Sequence, residues 1–384
     1  MAEIRQMHKT TIAQRLEKLV RPSQRLLILA LLGLAGCGDK DPVSSAPTAA
    51  AKLTLSAHEV AGGCELPWCR PGFEPPVVVF ADARLEDAIR KAIDKPDGII
   101  LRDDVADLTA LALPDQGIED LTGIESLTHL QELNIGFNQI DDITPLAGLT
   151  QLTGLLLSGN QIVDVAPLAQ LTQLKRLSLG LNEIDDVTPL AGLTQLTELW
   201  MLGNQIRDVA PLAGLTQLKR LGLRFNEVVD AAPLAGLTQL IELELEGNQI
   251  ADLTPLAGLS QLTELLLAGN QIDDITPLAG LAQLRRLDLG LNEIDDVTAL
   301  AQLTQITELR LYQNQLSDVT LLGRLTQLTE LRLQSNQISD ISSLVENSGL
   351  GEGDRVFLCL NPLSEEALSV QIPALQARGV VVEF

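Results

Sequence analysis

From residue 127 onward, apolar and polar positions recur with a period of 22 residues, in units that begin at 127, 149, 171, 193, 215, 237, 259, 281, 303 and 325. The shared pattern is L-T-Q-L-x-x-L-x-L-x-x-N-Q-I-x-D-V-x-P-L-A-G, with apolar residues at unit positions 1, 4, 7, 9, 14, 17 and 20. A degenerate unit, residues 105–126, precedes these ten. A fixed period of this length marks a repeat array, in which each unit buries its apolar face on its neighbours. Positions 7 and 9 are apolar around a variable position 8. That period of two predicts one strand per unit, and stacking makes successive strands parallel.

The rest of the unit follows from backbone accounting. Twenty-two residues leave no room for a full helix on the return path, so D-[IV]-[TA]-P-L-A-G predicts a short 3₁₀-like turn. Asp at position 16 occurs in all eleven units, from Asp120 to Asp340. Its carboxylate is expected to accept backbone N–H groups and cap that turn. Pro at position 19 presets φ in seven of the ten regular units but is replaced by Ala299, Leu321 and Ser343 in the last three. A looser C-terminal convex edge is therefore expected. Asn at position 12, from Asn138 to Asn336, falls where the chain leaves the strand. An amide offers two donors and an acceptor for the orphan backbone groups of that bend.

Array ends expose a core and need covers. DARLEDAIRKAI (82–93) puts Leu85, Ala88, Ile89, Ala92 and Ile93 on one helical face. Asp82 is its N-cap candidate, and Glu86/Arg90 and Asp87/Lys91 are i,i+4 pairs. At the other end, VFLCLNPL (356–363) predicts a last strand-like half-unit in which Asn361 continues the Asn ladder. A capping helix over 364–379 and a short strand over 380–384 follow. Cys359 is expected to be a buried thiol.

The repeat pattern resembles the leucine-rich repeat. Its 22-residue class occurs in bacterial internalins and in the eukaryotic leucine-rich regulators of protein phosphatase 1. The resemblance spans about residues 79–384, and the segment 82–93 is similar to the helical cap that precedes internalin repeats. It implies an α/β leucine-rich-repeat solenoid. A curved parallel β-sheet would line the concave face and 3₁₀ turns the convex face, with a helical N-terminal cap and a helix–strand C-terminal cap. For function it implies recognition of a protein partner on the concave sheet face. A phosphatase-regulator-like scaffold and a carbohydrate- or envelope-binding module are the alternatives, as is a face whose variable positions have drifted without a ligand.

Side-chain alternation assigns that face. Leu199 and Met201 occupy core positions 7 and 9, so Trp200 at position 8 must point away from the core, together with positions 6 and 10 of every unit. Aromatic residues are only 2% of the chain, and nothing in the repeat rule requires a Trp there. An aromatic side chain on a rigid open sheet is typical of a binding hot spot. Leu156, Trp200 and Leu202 are expected to form an apolar patch with Arg224, Glu244 and Glu246 beside it. Arg310, Tyr312 and Arg332 form a second candidate cluster. Gly222 next to Trp200 leaves room for a ring to lie flat or for a ligand group. Position 6 alternates in sign through Arg176, Glu198, Arg220 and Glu242, and again through Glu264, Arg286 and Glu308. This reads as a ladder of lateral ion pairs, each exposed pair giving at most about 1 kcal/mol.

The first third has a different character. Basic residues precede the eleven-residue apolar run 26–36, which is too short to span a bilayer as a helix and reads as a signal-peptide core. It ends in Leu34-Ala35-Gly36-Cys37, which resembles the lipobox of bacterial lipoproteins. The resemblance implies lipidation of Cys37 and a membrane anchor through that lipid, and Gly38 after the Cys favours the outer membrane or cell surface. An ordinary secretory signal that contains a Cys is the alternative, and Met7 competes with Met1 as the start. The expected divisions are a signal peptide (1–36), a flexible tether (37–62), a cap with a small Cys loop and helix (63–104), eleven repeats (105–346) and a C-terminal cap (347–384). Cys64 and Cys69 of CELPWC are expected to form a disulfide in an exported chain; a metal site would need further ligands.

Charge and the chemical inventory narrow the function. The formal net charge of −24 repels phosphate backbones and argues against nucleic acid as a partner. Three histidines, His8, His58 and His129, converge with no nucleophile or carboxylate, and no phosphate loop or metal spacing occurs. The reading is therefore a monomeric, non-enzymatic binding protein without cofactor or metal.

Overall fold

The computed structural model describes residues 77–384. Cys37, Cys64, Cys69, Trp68 and the expected signal peptide and tether lie outside the described residues. Among the described residues, thirteen parallel strands form one sheet in strict chain order. They begin with β1 (Ala110–Ala112) and β2 (Glu132–Asn134). One strand per unit follows at positions 6 to 8 as far as β11 (Glu330–Arg332), then β12 (Arg355–Phe357) and β13 (Val381–Glu383). Register is in step throughout, with Leu177 against Leu199 and Leu199 against Leu221. Parallel strands need a crossover. Here it is a short 3₁₀ turn on the far side, such as Thr188–Gly192 or Ala210–Gly214.

The core is a stack of thin apolar layers. Leu193, Leu196, Leu199, Met201, Ile206, Val209 and Leu212 of one unit are each at most 1% exposed. Fully burying one such side chain contributes about 1.5–3 kcal/mol. The predicted polar ladders take the predicted partners. Asn248 Nδ2 donates to the carbonyls of Leu223 (3.0 Å) and Leu245 (2.9 Å), and its Oδ1 accepts from Val228 N–H (3.0 Å). Each amide thereby ties the bends of two successive units. Asp186 Oδ1 accepts from Thr188 N–H at 2.8 Å, and the same contact recurs from Asp120 to Asp340. The Asp lies two residues before the turn's first residue, so this is an Asx-type brace. Hydrogen bonds from the hydroxyl and N–H of the following Thr hold Asp142, Asp186, Asp252, Asp274 and Asp318 below the usual carboxylate range. Proline is not required for the turn form. Thr298–Gln302 and Thr320–Arg324 are 3₁₀ without it, and only the last turn, Ser342–Glu346, becomes α-helical.

Helix α1 (Ala83–Ala92) covers the N-terminal end. Asp82 caps it by accepting from Arg84 N–H at 2.7 Å, and Arg90 pairs with Glu86 at 2.7 Å. Leu85 and Ile89 are buried, Ala88 and Ile93 partly so, whereas Ala92 is exposed, so the apolar stripe is narrower than expected. A second short helix, α2 (Arg102–Val105), leads into β1. The C-terminal cover is more elaborate. A helix α3 (Ser342–Glu346) ends the last unit. The predicted capping helix contains a π segment, Ala367–Gln371, that runs into α4 (Ile372–Ala377). Pro373 explains the widening: it lacks an N–H and its ring crowds the preceding turn. Gln371 docks this element by donating to Asp340 Oδ1 at 2.5 Å and accepting from Ile341 N–H at 2.9 Å. Asn361 continues the ladder, with Nδ2 at 2.8 Å from the carbonyls of Leu333 and Leu358. Cys359 is half-exposed rather than buried, because the half-unit keeps the repeat register and places it at position 10, on the concave face.

Candidate binding face

Strand alternation sends positions 6, 8 and 10 of each unit onto the concave face, and the two halves of that face are built differently. In the first half the residues at positions 8 and 10 are small: Asn134, Gly136, Ser158, Ser178 and Gly180. They floor an open trough of about 490 Å³. Leu156, 41% exposed, stands on one side, and Trp200 and Leu202, both half-buried, on the other. Ser158 and Ser178 satisfy one another across the floor, Oγ to Oγ 2.7 Å.

Trp200 pairs in register with Gly222. A Cβ at Gly222 would lie 2.5 Å from Trp200 Cε3 and 3.5 Å from Glu244 Oε2. The space expected beside the indole is thus taken by the indole itself, which lies over the glycine. Its edge and the Glu244 carboxylate meet above the same residue. Arg224 Nη1 is 3.8 Å from Glu244, and Arg224 Nε is 3.1 Å from Glu246 Oε2. The latter is an ion pair off the hydrogen-bond angle, and neither atom has a hydrogen-bond partner. Glu246 is only 3% exposed. It points onto the face but is covered by its neighbours rather than presented to a ligand, which corrects its expected place in the patch. Burial pushes its carboxyl up to about 8 against the pull of Arg224. Burial also raises Glu244, again against Arg224.

In the second half the face is filled. Leu266 and Asp288 are 3% exposed and Ala268 is fully covered. The Tyr312 ring covers Gly290, leaving no room there for a Cβ, and its hydroxyl is raised above the ordinary tyrosine range by burial and by Asp288. Arg310 reaches Asp288 (3.5 Å), Glu330 (3.4 Å) and Glu308 (3.6 Å). Burial raises the Asp288 carboxyl although the Gly290 N–H and Arg310 oppose it. Arg332 Nε donates to Glu330 at 2.7 Å, and its guanidinium lies 4.9 Å from the centre of the Phe357 ring. Arg355 lies equally close to that ring. Burial would raise Glu330, but the Arg332 hydrogen bond and the Arg332, Arg310 and Arg355 charges hold it below its usual value.

The position-6 ladder forms as lateral pairs. Arg220 is 3.2 Å from both Glu198 and Glu242, and Arg286 bridges Glu264 (2.6 Å) and Glu308 (3.3 Å). Arg176 departs from the expected order. It pairs with Glu132 two rungs away at 2.9 Å, passing over Gly154, whose missing side chain opens the path.

The fold and this face match known proteins. The family described as Leucine Rich repeats (2 copies) matches residues 150–192, 174–214, 260–302 and 304–346, and a single Leucine Rich repeat matches 126–143. The chain superposes on an internalin (inlF) of Listeria monocytogenes with a TM-score of 0.71 and 32% identity, covering 82% of this chain and 99% of that one. It belongs to the internalin family. Internalin C2 of the same organism is 40% identical over 55% of this chain and 94% of its own, with a TM-score of 0.54. A Leptospira interrogans LRR protein is 26% identical, with a TM-score of 0.63 over 71% of this chain and 69% of its own. No curated sequence matches the chain.

Side chains outside positions 6, 8 and 10 also shape this internalin-family face. Phe137 and Leu181 stand at position 11 and line the trough. Both have positive φ, 59° and 57°, a conformation costing roughly 1–2 kcal/mol in a non-glycine residue. The bulky residues alternate with glycine, and a Cβ at Gly159 would lie 2.6 Å from Phe137 Cδ1. That alternation of large residue and glycine was the available sequence signal. Arg355 and Phe357 were available too, once the half-unit is given positions 6 and 8.

Proposed function

We propose that the chain is an exported bacterial lipoprotein, anchored through Cys37, that binds a protein partner with the first half of its concave face. The observation that carries the reading is Trp200 poised over Gly222 at the side of an open apolar trough. Nothing in the repeat packing needs an indole there, since Leu199 and Met201 complete the core on either side. The sheet holds these side chains in place before binding, so little ordering entropy opposes association. Protein recognition by internalin-family scaffolds supports the reading, as does the basic and apolar leader that ends at Cys37. We infer binding rather than catalysis, because the polar groups of the face are engaged with one another in ion pairs.

A pull-down from the organism's cells or contact surfaces with the exported portion, compared with its Trp200→Ala variant, tests the site. Loss of about 2 kcal/mol or more in partner binding is expected, and equal capture by both would remove the trough from the mechanism. Cys37→Ser should shift the protein out of the detergent phase. Unchanged partitioning would remove the anchor.

A further inference from the structure

We infer that the trough takes an extended segment of the partner that carries an apolar side chain followed or preceded, a few residues away, by Lys or Arg. This rests on the reading of the concave face above and specifies its ligand. Trp200 and Glu244 meet over the one glycine between them, so the indole and a carboxylate converge on the same point. A long basic side chain fits that pairing. Its aliphatic stem lies along the indole, its charge interacts with the ring face, and its head reaches the carboxylate.

Charge complementarity selects a cation rather than an anion or a second apolar group. Arg220 is shared between Glu198 and Glu242, and Arg224 between Glu244 and Glu246. Arg220 faces two carboxylates and leaves one in excess, so this end of the trough keeps acceptor capacity. Arg224 is also the looser partner of Glu244, at 3.8 Å. The opposite end, between Leu156 and Leu202, holds no charged side chain and suits the apolar residue. From the Ser178 rung to the Glu244 rung is three strand spacings, about 14 Å at about 4.8 Å each. An extended peptide crossing the strands advances about 3.4 Å per residue, and a Lys or Arg side chain supplies part of the reach. The basic residue therefore falls about two or three positions from the apolar one.

The test is selection of random linear peptides displayed on phage against the immobilised full chain, with Trp200→Ala, Glu244→Gln and Glu244→Lys variants run in parallel. The expected result is enrichment of peptides with an apolar and a basic residue at that spacing. Their affinity should vanish in Trp200→Ala and fall about tenfold in Glu244→Gln, the effect of losing one charge-assisted contact. Glu244→Lys should shift the selected charge from basic to acidic. A general loss of folding cannot produce that exchange. Peptides that need Trp200 but carry no basic residue, and bind Glu244→Gln equally well, would overturn the inference and leave the concave-face reading standing. Peptides indifferent to Trp200 would overturn both. Failure to enrich any peptide would overturn the extended-segment ligand, while the pull-down still tests the face.

Discussion

The two halves of the concave face share one backbone and one repeat rule yet have opposite characters. Around Leu156 and Trp200 the outward positions hold glycine, serine and three large apolar side chains, and the result is an open trough. Around Asp288 and Tyr312 the same positions hold charged and aromatic groups that close on one another, until Asp288 is 3% exposed. Side-chain volume and charge at three positions per unit make the difference. The first half keeps its apolar surface for something else to cover. The second half uses its side chains to cover itself, and Arg310 spans three carboxylates in doing so. Exposed apolar surface with room beside it suggests binding. Internally paired charges suggest structure, and their worth depends on every member staying in place.

That contrast breaks most visibly at Arg310. Arg310→Ala leaves the Asp288 carboxylate buried without its guanidinium and should destabilise the protein by about 3 kcal/mol, measured as the shift in a urea melt. A loss as small as that of an ordinary surface residue would mean that the second half is no more self-supporting than the first. The polar ladders run under both halves and should not distinguish them. Asn160→Ala and Asn292→Ala should each cost about 1–3 kcal/mol through unpaired buried backbone groups, whereas Gln249→Ala, at an exposed position, should stay within about 0.5 kcal/mol. A large difference between the two Asn variants would show that the halves unfold separately.

Glu246 lies at the junction and sharpens the comparison through pH. Burial pushes its folded carboxyl up to about 8, from an ordinary value of 4.5. The folded state therefore holds the proton more tightly than the unfolded chain. The associated stability is complete below about pH 4.5 and is lost as the pH rises towards 8. Glu246→Gln removes the titration, so the variant should gain steadily on the wild type as the pH rises from 4.5 to 8.5 and gain nothing below pH 4.5. A pH-independent difference would mean that Glu246 is solvated. The braced carboxylates of the convex turns, such as Asp142, have the opposite sign: their contribution is present above the ordinary Asp value and is lost only in acid. Among the face residues, the smallest effect on stability belongs to Trp200→Ala. It removes no core layer and should change stability by under about 1 kcal/mol in the same melts. A loss matching that of Arg310→Ala would place the indole in the fold rather than at the site.

Most of the architecture was legible in the sequence. The 22-residue period identified one strand per unit, the alternation around position 8 identified its faces, and Asn at position 12 and Asp at position 16 named their own partners. These are local rules repeated in every unit, so neighbouring copies reinforce them and no distant contact can override them. The outward direction of Trp200 followed from the same alternation. What a side chain does after it leaves the backbone was not legible. Glu246 and Glu244 occupy outward positions of one strand segment, yet one is fully buried and the other only partly. Arg176 reaches Glu132 because Gly154 lies between them, and Cys359 is half-exposed because the last half-unit keeps the register. Repeat period and strand alternation are properties of the chain alone. Which outward groups cover one another depends on volumes and charges one or two rungs apart, and only the stacked sheet brings those together.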